Sequence, residues 1–371
     1  MKLSSLMEDK NITNGLPSAA YTDEKFLALE SDTVFAENWA FVGFVHELVK
    51  PGDVLPVVLA GKPLILVKNI KGEIVAFHNV CRHRCLKLVN ERKNTGKLIR
   101  CPYHAWTYDL DGKLIASPHF GGTDKHKPKG FEPKKYGLES IRIKIWHDWI
   151  FVNLNKKAPA FEKYVKKISR QLSDIDLDNI KPVATLDFGE VATNWKFLVE
   201  NYVEPYHVQF VHKTTTSQPL KDHYTIVDGN CFGSGVDLNE ENTSSGNLAV
   251  SSRYLSLFPN FIIGTYYPNQ IGVHLNLPLD SGHTIQKRII YATNGYKMTA
   301  KEANGLKKLW WDVHKEDHSI CERLQLGRAS PVSEQGGVLS PHWEKSVRAF
   351  HKHVIKSVIK SPKSKKNRIH V

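Results

Sequence analysis

The chain has 371 residues and a mass of 42.1 kDa, room for two or three domains of roughly 150 residues each. With 41% apolar and 24% charged residues it lies in the globular range, which excludes disordered and fibrous classes. The net charge of +13 is local: nine of the 51 Lys and Arg residues fall between Lys345 and Val371, where no Asp or Glu occurs. A solvated basic tail is the reading, and no nucleic-acid partner is expected. Met1–Glu8 lacks the apolar core of a signal peptide. No stretch nears the roughly 18 apolar residues of a membrane span, so a soluble, cytoplasmic protein with no membrane contact is expected.

Residues 1–40 form a lead-in with one helix predicted over about Asp23–Asn38. From 41 to 155 the pattern is short β-like runs, among them Val54–Leu59, Pro63–Val67, Ile74–Phe77 and Trp149–Val152. Turns are read at Gly61-Lys62, Lys71-Gly72 and Asp111-Gly112, giving a small all-β domain. Residues 156–342 read as a second domain. Helical spacing covers about Ala160–Leu172, Asn194–Phe210 and Ala300–Leu326, while about Tyr224–Thr293 is strand-like. The expected class is therefore α+β, with helices around an antiparallel sheet. In residues 343–371, Trp343, Val347, Phe350, Val354 and Val358 recur at helical spacing, and the end is expected to fray after Pro362.

Five cysteines, an odd and sparse set, argue against a disulfide framework. Three of them fall in the β domain, at Cys81, Cys85 and Cys101. Cys81-Arg82-His83 is C-x-H; after seventeen intervening residues, Cys101-Pro102-Tyr103-His104 is C-x2-H. Each loop thus offers one thiolate and one imidazole. A tetrahedral zinc site would accept Cys2His2. An iron–sulfur cluster would also accept it, two Cys on one iron and two His on the other. The flanks separate these readings. The segment resembles the Rieske domain of ring-hydroxylating and related oxygenases, whose pattern is C-x-H-R-G…C-P-Y-H-G-W-x-Y with a later D-G. Cys81, His83, Cys101 and His104 match its cluster ligands; Arg84, Pro102, Tyr103, Trp106, Tyr108, Asp111 and Gly112 match the surroundings. Two glycines of the pattern are replaced by Cys85 and Ala105, which would be strained wherever the backbone keeps a positive φ. Cys85 reads as a non-ligand beside the cluster.

Asn194–His212 holds a second constellation, Glu204-x2-His207-x4-His212. On an ideal helix the two histidines would stand about 140° apart, so they converge only if the helix breaks. Pro205 supplies a cause for a break. Two histidines and a carboxylate with open positions suit non-haem iron. The segment resembles the catalytic signature N-W-K-x3-E-N-x2-[D/E]-x-Y-H-x4-H of the same oxygenases. That resemblance implies that His207 and His212 bind a mononuclear iron. The third ligand it implies lies in Trp311–Gly327, where Asp317 is the choice and Glu316 and Asp312 are lesser candidates. Glu204 matches the family's bridging acid, which would join His104 of one chain to His207 of its neighbour.

The resemblance implies the oxygenase component of a Rieske non-haem iron system: a [2Fe-2S] cluster, mononuclear Fe(II), O2 as co-substrate, and a homotrimer. The sequence has no strand-linked G-x-G-x-x-G. Electrons from NAD(P)H would therefore come through a separate reductase, directly or by way of a ferredoxin. The run Tyr206–Lys213 resembles choline-monooxygenase-like enzymes, so a quaternary ammonium substrate is expected, hydroxylated or demethylated. An aromatic ring or aromatic acid is the alternative, and a Rieske electron carrier is the alternative of another class. Tyr224, Tyr254, Phe258, Tyr266 and Tyr267 are candidate faces for a methylammonium group.

Overall fold

A computed structural model describes residues 3–8, 11–216, 218–238 and 251–359; the fraying expected after Pro362 lies outside them. The chain divides into two compact units, one of Phe41–Ala158 and one of Met1–Ala40 with Pro159–Val371. No helix among the described residues is long and apolar enough to cross a membrane.

The discontinuous unit begins with β1 (Thr13–Asn14), α1 (Ala19–Thr22) and α2 (Glu24–Glu30). Asp23 caps α2 by accepting from the Lys25 N–H. A π-turn over Ser31–Phe35 then prolongs it, so the single expected helix is two segments. Glu30 at the end of α2 is fully buried and pairs with the equally buried Lys196, at 2.9 Å. It also accepts from Trp195 Nε1 at 3.1 Å. Burial pushes the Glu30 carboxyl up and the Lys196 ammonium down, and each is pulled back by the other's charge.

The unit 41–158 is built from β2 (Ala40–Phe44), β3 (Asp53–Leu59), β4 (Lys62–Lys68), β5 (Ile74–His78), β6 (Lys93–Asn94), β7 (Leu98–Arg100), β8 (Thr107–Asp109), β9 (Leu114–Ala116), β10 (Ser140–Trp146) and β11 (Trp149–Asn153). Seven of these form a sheet in the order β2-β11-β10-β5-β4-β3-β6, and β7-β8-β9 form a second. Leu59 pairs with Lys62, so the β3–β4 turn is Ala60-Gly61 rather than the expected Gly61-Lys62. Both turn residues have positive φ, 46° and 79°, as a two-residue hairpin with the sheet's twist demands. The core includes Val54, Ile65, Val67, Phe77, Trp106 and Tyr108, and it reaches Cys81 and Cys101.

The larger unit continues with α3 (Phe161–Gln171), β12 (Lys181–Val191), α4 (Trp195–Val203), α5 (Val208–Val211), β13 (His223–Asp228), β14 (Cys231–Val236), β15 (Ser252–Leu257), β16 (Phe261–Tyr266), β17 (Gln270–Pro278), β18 (Thr284–Ala292), α6 (Ala300–Gly327), β19 (Val338–Leu339) and α7 (Lys345–Ile359). Its antiparallel sheet runs β12-β18-β17-β16-β15-β14-β13. Every residue of β14, β16 and β17 is buried, which means both sheet faces are covered. Helix α6 starts at a capping box between Thr299 and Glu302. Helix α7 buries Val347, Phe350, Val354 and Val358, the stripe its spacing predicts, and exposes Lys345 and Lys356. Strand β1 pairs with β19, Thr13 opposite Leu339.

Candidate functional site

The two cluster loops share one backbone conformation. The Cys85 N–H donates to the Cys81 carbonyl and the Ala105 N–H to the Cys101 carbonyl; the cysteine N–H groups donate to Leu86 and Trp106. Cys85 and Ala105 occupy equivalent positions at φ 57° and 55°, the strained placement their substitution for glycine implies. Cys81 and Cys101 are buried, whereas His104 is exposed on this unit. The His83 and His104 rings lie 4.6 Å apart, and His83 stacks on Trp106 at 4.9 Å. Burial pushes the Cys81 thiol up, with Cys101 adding to the effect. Tyr108 Oη lies 3.3 Å from Cys81 Sγ and accepts from the Arg82 N–H at 3.0 Å. His83 Nδ1 is buried without a hydrogen-bond partner. Two buried thiols on one side and two facing imidazoles on the other fit a [2Fe-2S] group, which would hold the thiols as thiolates.

The second site begins with a helix break. Asn194 caps α4 by accepting from the Lys196 N–H. The helix ends at Val203, and Glu204 is extended at φ −113°, ψ 141°, because proline disfavours the helical region for the residue before it. The chain then turns, so His207 starts α5 and His212 ends it. Their rings approach to 5.2 Å.

Asp317, from α6, completes the group: one ligand atom each of His207, His212 and Asp317 lie within 4.8 Å of one another, the one such trio among the described residues. His207 Nε2 is 3.6 Å and His212 Nε2 3.1 Å from Asp317 Oδ1. Behind them, His207 Nδ1 meets Glu204 Oε1 at 2.6 Å and His212 Nδ1 meets Glu316 Oε2 at 2.7 Å. Thr215 Oγ1 also donates to Glu316, at 2.7 Å. These carboxylates accept from Nδ1–H and turn Nε2 of each ring toward Asp317. Burial opposes both imidazolium forms. It is outweighed for His207 by Glu204 and Asp317, which hold that ring above its usual value, and for His212 by Asp317 and Glu316, which raise it to about 9. Asp317 Oδ1 is buried with no hydrogen-bond partner. Two imidazole nitrogens and a carboxylate oxygen converging on one point fit a divalent iron, which would displace the protons that Asp317 and the acids behind the rings favour in its absence.

The trio opens on a cavity with about 550 Å³ of empty space, counting its mouth. Tyr202, Tyr254, Tyr266, Trp310 and Arg288 form much of its wall. The Tyr202 and Tyr266 hydroxyls are 3.1 Å apart, and Tyr254 donates to Gln218 at 2.9 Å. The cross-strand pair Gly264 and Gly272 makes room for this wall. A Cβ at Gly264 would fall 2.2 Å from Tyr202 Oη.

Of the candidates from sequence, the structure thus brings His207, His212 and Asp317 together, with Glu204 behind His207. Glu316 stands behind His212 instead of facing the trio, and Asp312 is exposed. Tyr254 and Tyr266 line the cavity; Tyr224 is exposed, Phe258 packs on Phe350 and His353, and Tyr267 donates to Asp174. Sequence reasoning missed Tyr202, Trp310, Thr215 and Arg288. For Tyr202 a signal existed, since it lies two residues before the E-x2-H-x4-H run.

Residues 38–127 match the Rieske [2Fe-2S] domain, and residues 174–359 match the ring hydroxylating alpha subunit (catalytic domain). The glycine betaine monooxygenase oxygenase subunit of Chromohalobacter salexigens is 34% identical over 209 residues, 56% of this chain and 45% of that protein. The match thus spans about half the length of such relatives. The chloroplastic choline monooxygenase of Amaranthus tricolor is 24% identical over 347 residues, 90% of this chain and 76% of that protein. The solved structure of the quaternary ammonium Rieske monooxygenase CntA with its substrate gamma-butyrobetaine aligns at a TM-score of 0.79 and 21% identity, covering 95% of this chain and 98% of that one. That likeness carries the fold, in both the Rieske and the catalytic parts. With a catalytic-domain match over half of its length and a Rieske domain before it, the chain belongs to the ring-hydroxylating oxygenase α-subunit family.

Proposed function

We propose that the chain is the terminal oxygenase of a multi-component Rieske non-haem iron system that hydroxylates or oxidatively demethylates a small quaternary ammonium compound. The observation that carries this reading is the convergence of His207, His212 and Asp317 on an aromatic cavity. When bound, the cluster supplies single electrons and the ferrous iron supplies a position for O2 beside the substrate. Cys81, Cys101, His83 and His104 would hold the first; His207, His212 and Asp317 would hold the second. Glu204 and Glu316 hold Nδ1–H of each histidine, so Nε2 is the nitrogen turned toward the metal, which would displace its proton on binding. Tyr202 and Tyr254 offer faces to a methylammonium group, each worth up to about 2 kcal/mol when desolvated. The quaternary-amine oxygenases among the relatives support that substrate class.

Electrons come from NAD(P)H through a separate reductase, with or without a ferredoxin. Glu204 joins His207 to His104 of a neighbouring chain, and a head-to-tail homotrimer closes the ring of such contacts. The test has two parts. Oxygen uptake with a surrogate reductase is measured over a panel of quaternary amines and aromatic acids; protein loaded with cluster and iron that consumes no O2 with any of them refutes the oxygenase reading. Mixing His104→Ala chains with His207→Ala chains should restore partial activity, and no restoration in confirmed mixed oligomers refutes the inter-chain route.

A further inference from the structure

Positive charge is concentrated a second time, around the cluster loops. Residues 41–158 hold 21 Lys and Arg against 10 Asp and Glu, whereas the other unit, taken up to Glu344, holds 21 against 28. The excess is densest in the segment that joins the two loops. Arg84, Lys87, Arg92, Lys93, Lys97 and Arg100 are all exposed there, against one carboxylate, Glu91. Asp53 offsets Arg92 from outside the segment. Part of this has a structural cause: Lys93 sits on β6, the end strand of the large sheet, where a lysine discourages pairing with another strand. That cause does not extend to the other five cations.

Apolar side chains stand among the charges. Leu86 is 37% exposed, Leu98 42% and Tyr103 55%. The Arg84 guanidinium lies 5.7 Å from the centroid of the Tyr103 ring, which ties the two loops together. Beside the first loop is a depression with about 780 Å³ of empty space, counting its mouth. His78, Val80, Cys81, Arg82, Cys85 and Glu139 line it. Val80 forms a backbone bridge with Lys87, so the depression adjoins the basic segment. A partner seated here reaches the cluster from the Cys81 side, and the His104 side is the one assigned above to a neighbouring chain. We propose that residues 84–100 are the docking surface of an acidic one-electron carrier protein, the donor that reduces the cluster. One electron passes from the carrier, which is oxidised, to the cluster, whose diferric pair becomes ferric–ferrous; no bond forms or breaks. The proposal rests on the separate-donor reading of the chain and adds the donor's charge and its landing place. A rim of cations steers such an encounter, and a few exposed apolar groups hold it.

The test uses the full, cluster- and iron-loaded protein, with an acidic plant-type [2Fe-2S] ferredoxin as the probe. Calorimetry gives the Kd of the oxidised ferredoxin, and stopped-flow absorbance gives the rate at which the photoreduced form reduces the cluster. Both should weaken roughly tenfold or more between about 20 mM and about 300 mM salt, as screening shortens the reach of the charges. Lys87→Glu combined with Lys97→Glu should cost roughly tenfold or more at low salt and flatten the salt dependence. Lys87→Gln with Lys97→Gln should fall between, and it decides the matter if the glutamate pair loses its cluster spectrum. Lys163→Glu with Lys166→Glu, exposed on α3 of the other unit, changes net charge equally and should shift neither quantity by more than about twofold. Unchanged binding in the Lys87 and Lys97 variants, or an equal loss in the α3 pair, overturns the proposal. So does a fall in assembly mass by light scattering with ferredoxin binding intact, which gives the surface to a second copy of the chain. Oxygen uptake is read separately: a protein that docks the carrier and accepts its electron yet consumes no O2 would refute the oxygenase reading and leave the docking surface standing.

Discussion

Glu316 has one task that can be isolated: it fixes His212. Its Oε2 lies 2.7 Å from His212 Nδ1 and accepts from Thr215 Oγ1 at the same distance. The His212 side chain is only 7% exposed, while Glu316 at 26% reaches solvent, so a water that enters in its place is not anchored as the carboxylate is. In Glu316→Ala, Nδ1–H loses its fixed acceptor and the ring is free to turn or change tautomer. Losing such a partner commonly costs roughly 10–100-fold in metal affinity. The alanine variant should fall near hundredfold, about 2.7 kcal/mol. Glu316→Gln keeps an oxygen acceptor but exchanges a charge-assisted hydrogen bond for a neutral one about half as strong, so it should fall near tenfold. Dialysis against graded free ferrous iron, with the cluster absorbance as an internal control, measures both. Wild-type iron affinity in Glu316→Ala would refute the claim that this carboxylate orients His212.

Glu204→Gln should retain both metal centres while slowing delivery of electrons from a pre-reduced cluster by roughly 10–100-fold; unchanged reoxidation with substrate and O2 present removes Glu204 from the path. Glu30→Gln leaves Lys196 charged and fully buried, and should cost about 3–5 kcal/mol in denaturant unfolding of the larger unit. A loss below about 1 kcal/mol would show that the pair is replaceable. Ala105→Gly relieves a residue at φ 55°. It should raise stability, read by loss of cluster absorbance in denaturant, by about 0.5–1 kcal/mol after the added chain entropy; a fall contradicts the strain.

The convergence of His207 and His212 was legible because its signals are local. Pro205 forces Glu204 out of the helix, and six residues of sequence then carry both histidines. The roles of Glu316 and Asp317 were not separable in the same way. Adjacent acids on α6 point about 100° apart, and only the docking of that helix decides which meets Nε2 and which Nδ1. Arg288 left no trace in the pattern. Strand β18 is covered on both faces, so its neighbours Ile289, Ile290 and Tyr291 are all buried and alternation does not single it out. The β3–β4 turn was displaced by one residue because Ala60 takes a left-handed φ that composition assigns to glycine or asparagine. Three of the five expected aromatic faces missed the cavity for a similar reason, since strand-borne rings are steered by which sheet face is lined by the helix carrying Asp317.

The unit that holds His207, His212 and Asp317 is discontinuous, with residues 41–158 set between its two parts. On the ribosome, those residues emerge whole and can close their own core while the first forty still wait for partners. Glu30 meets Lys196 only some 166 residues later, and β1 finds β19 near the far end of the chain. Closing so long a loop is entropically slow. During synthesis, then, the N-terminal segment carries a buried-type acid and a row of aromatic residues without cover. It is the stretch on which a holding chaperone would act, and damage to it would surface as loss of the iron site while the cluster domain matured normally.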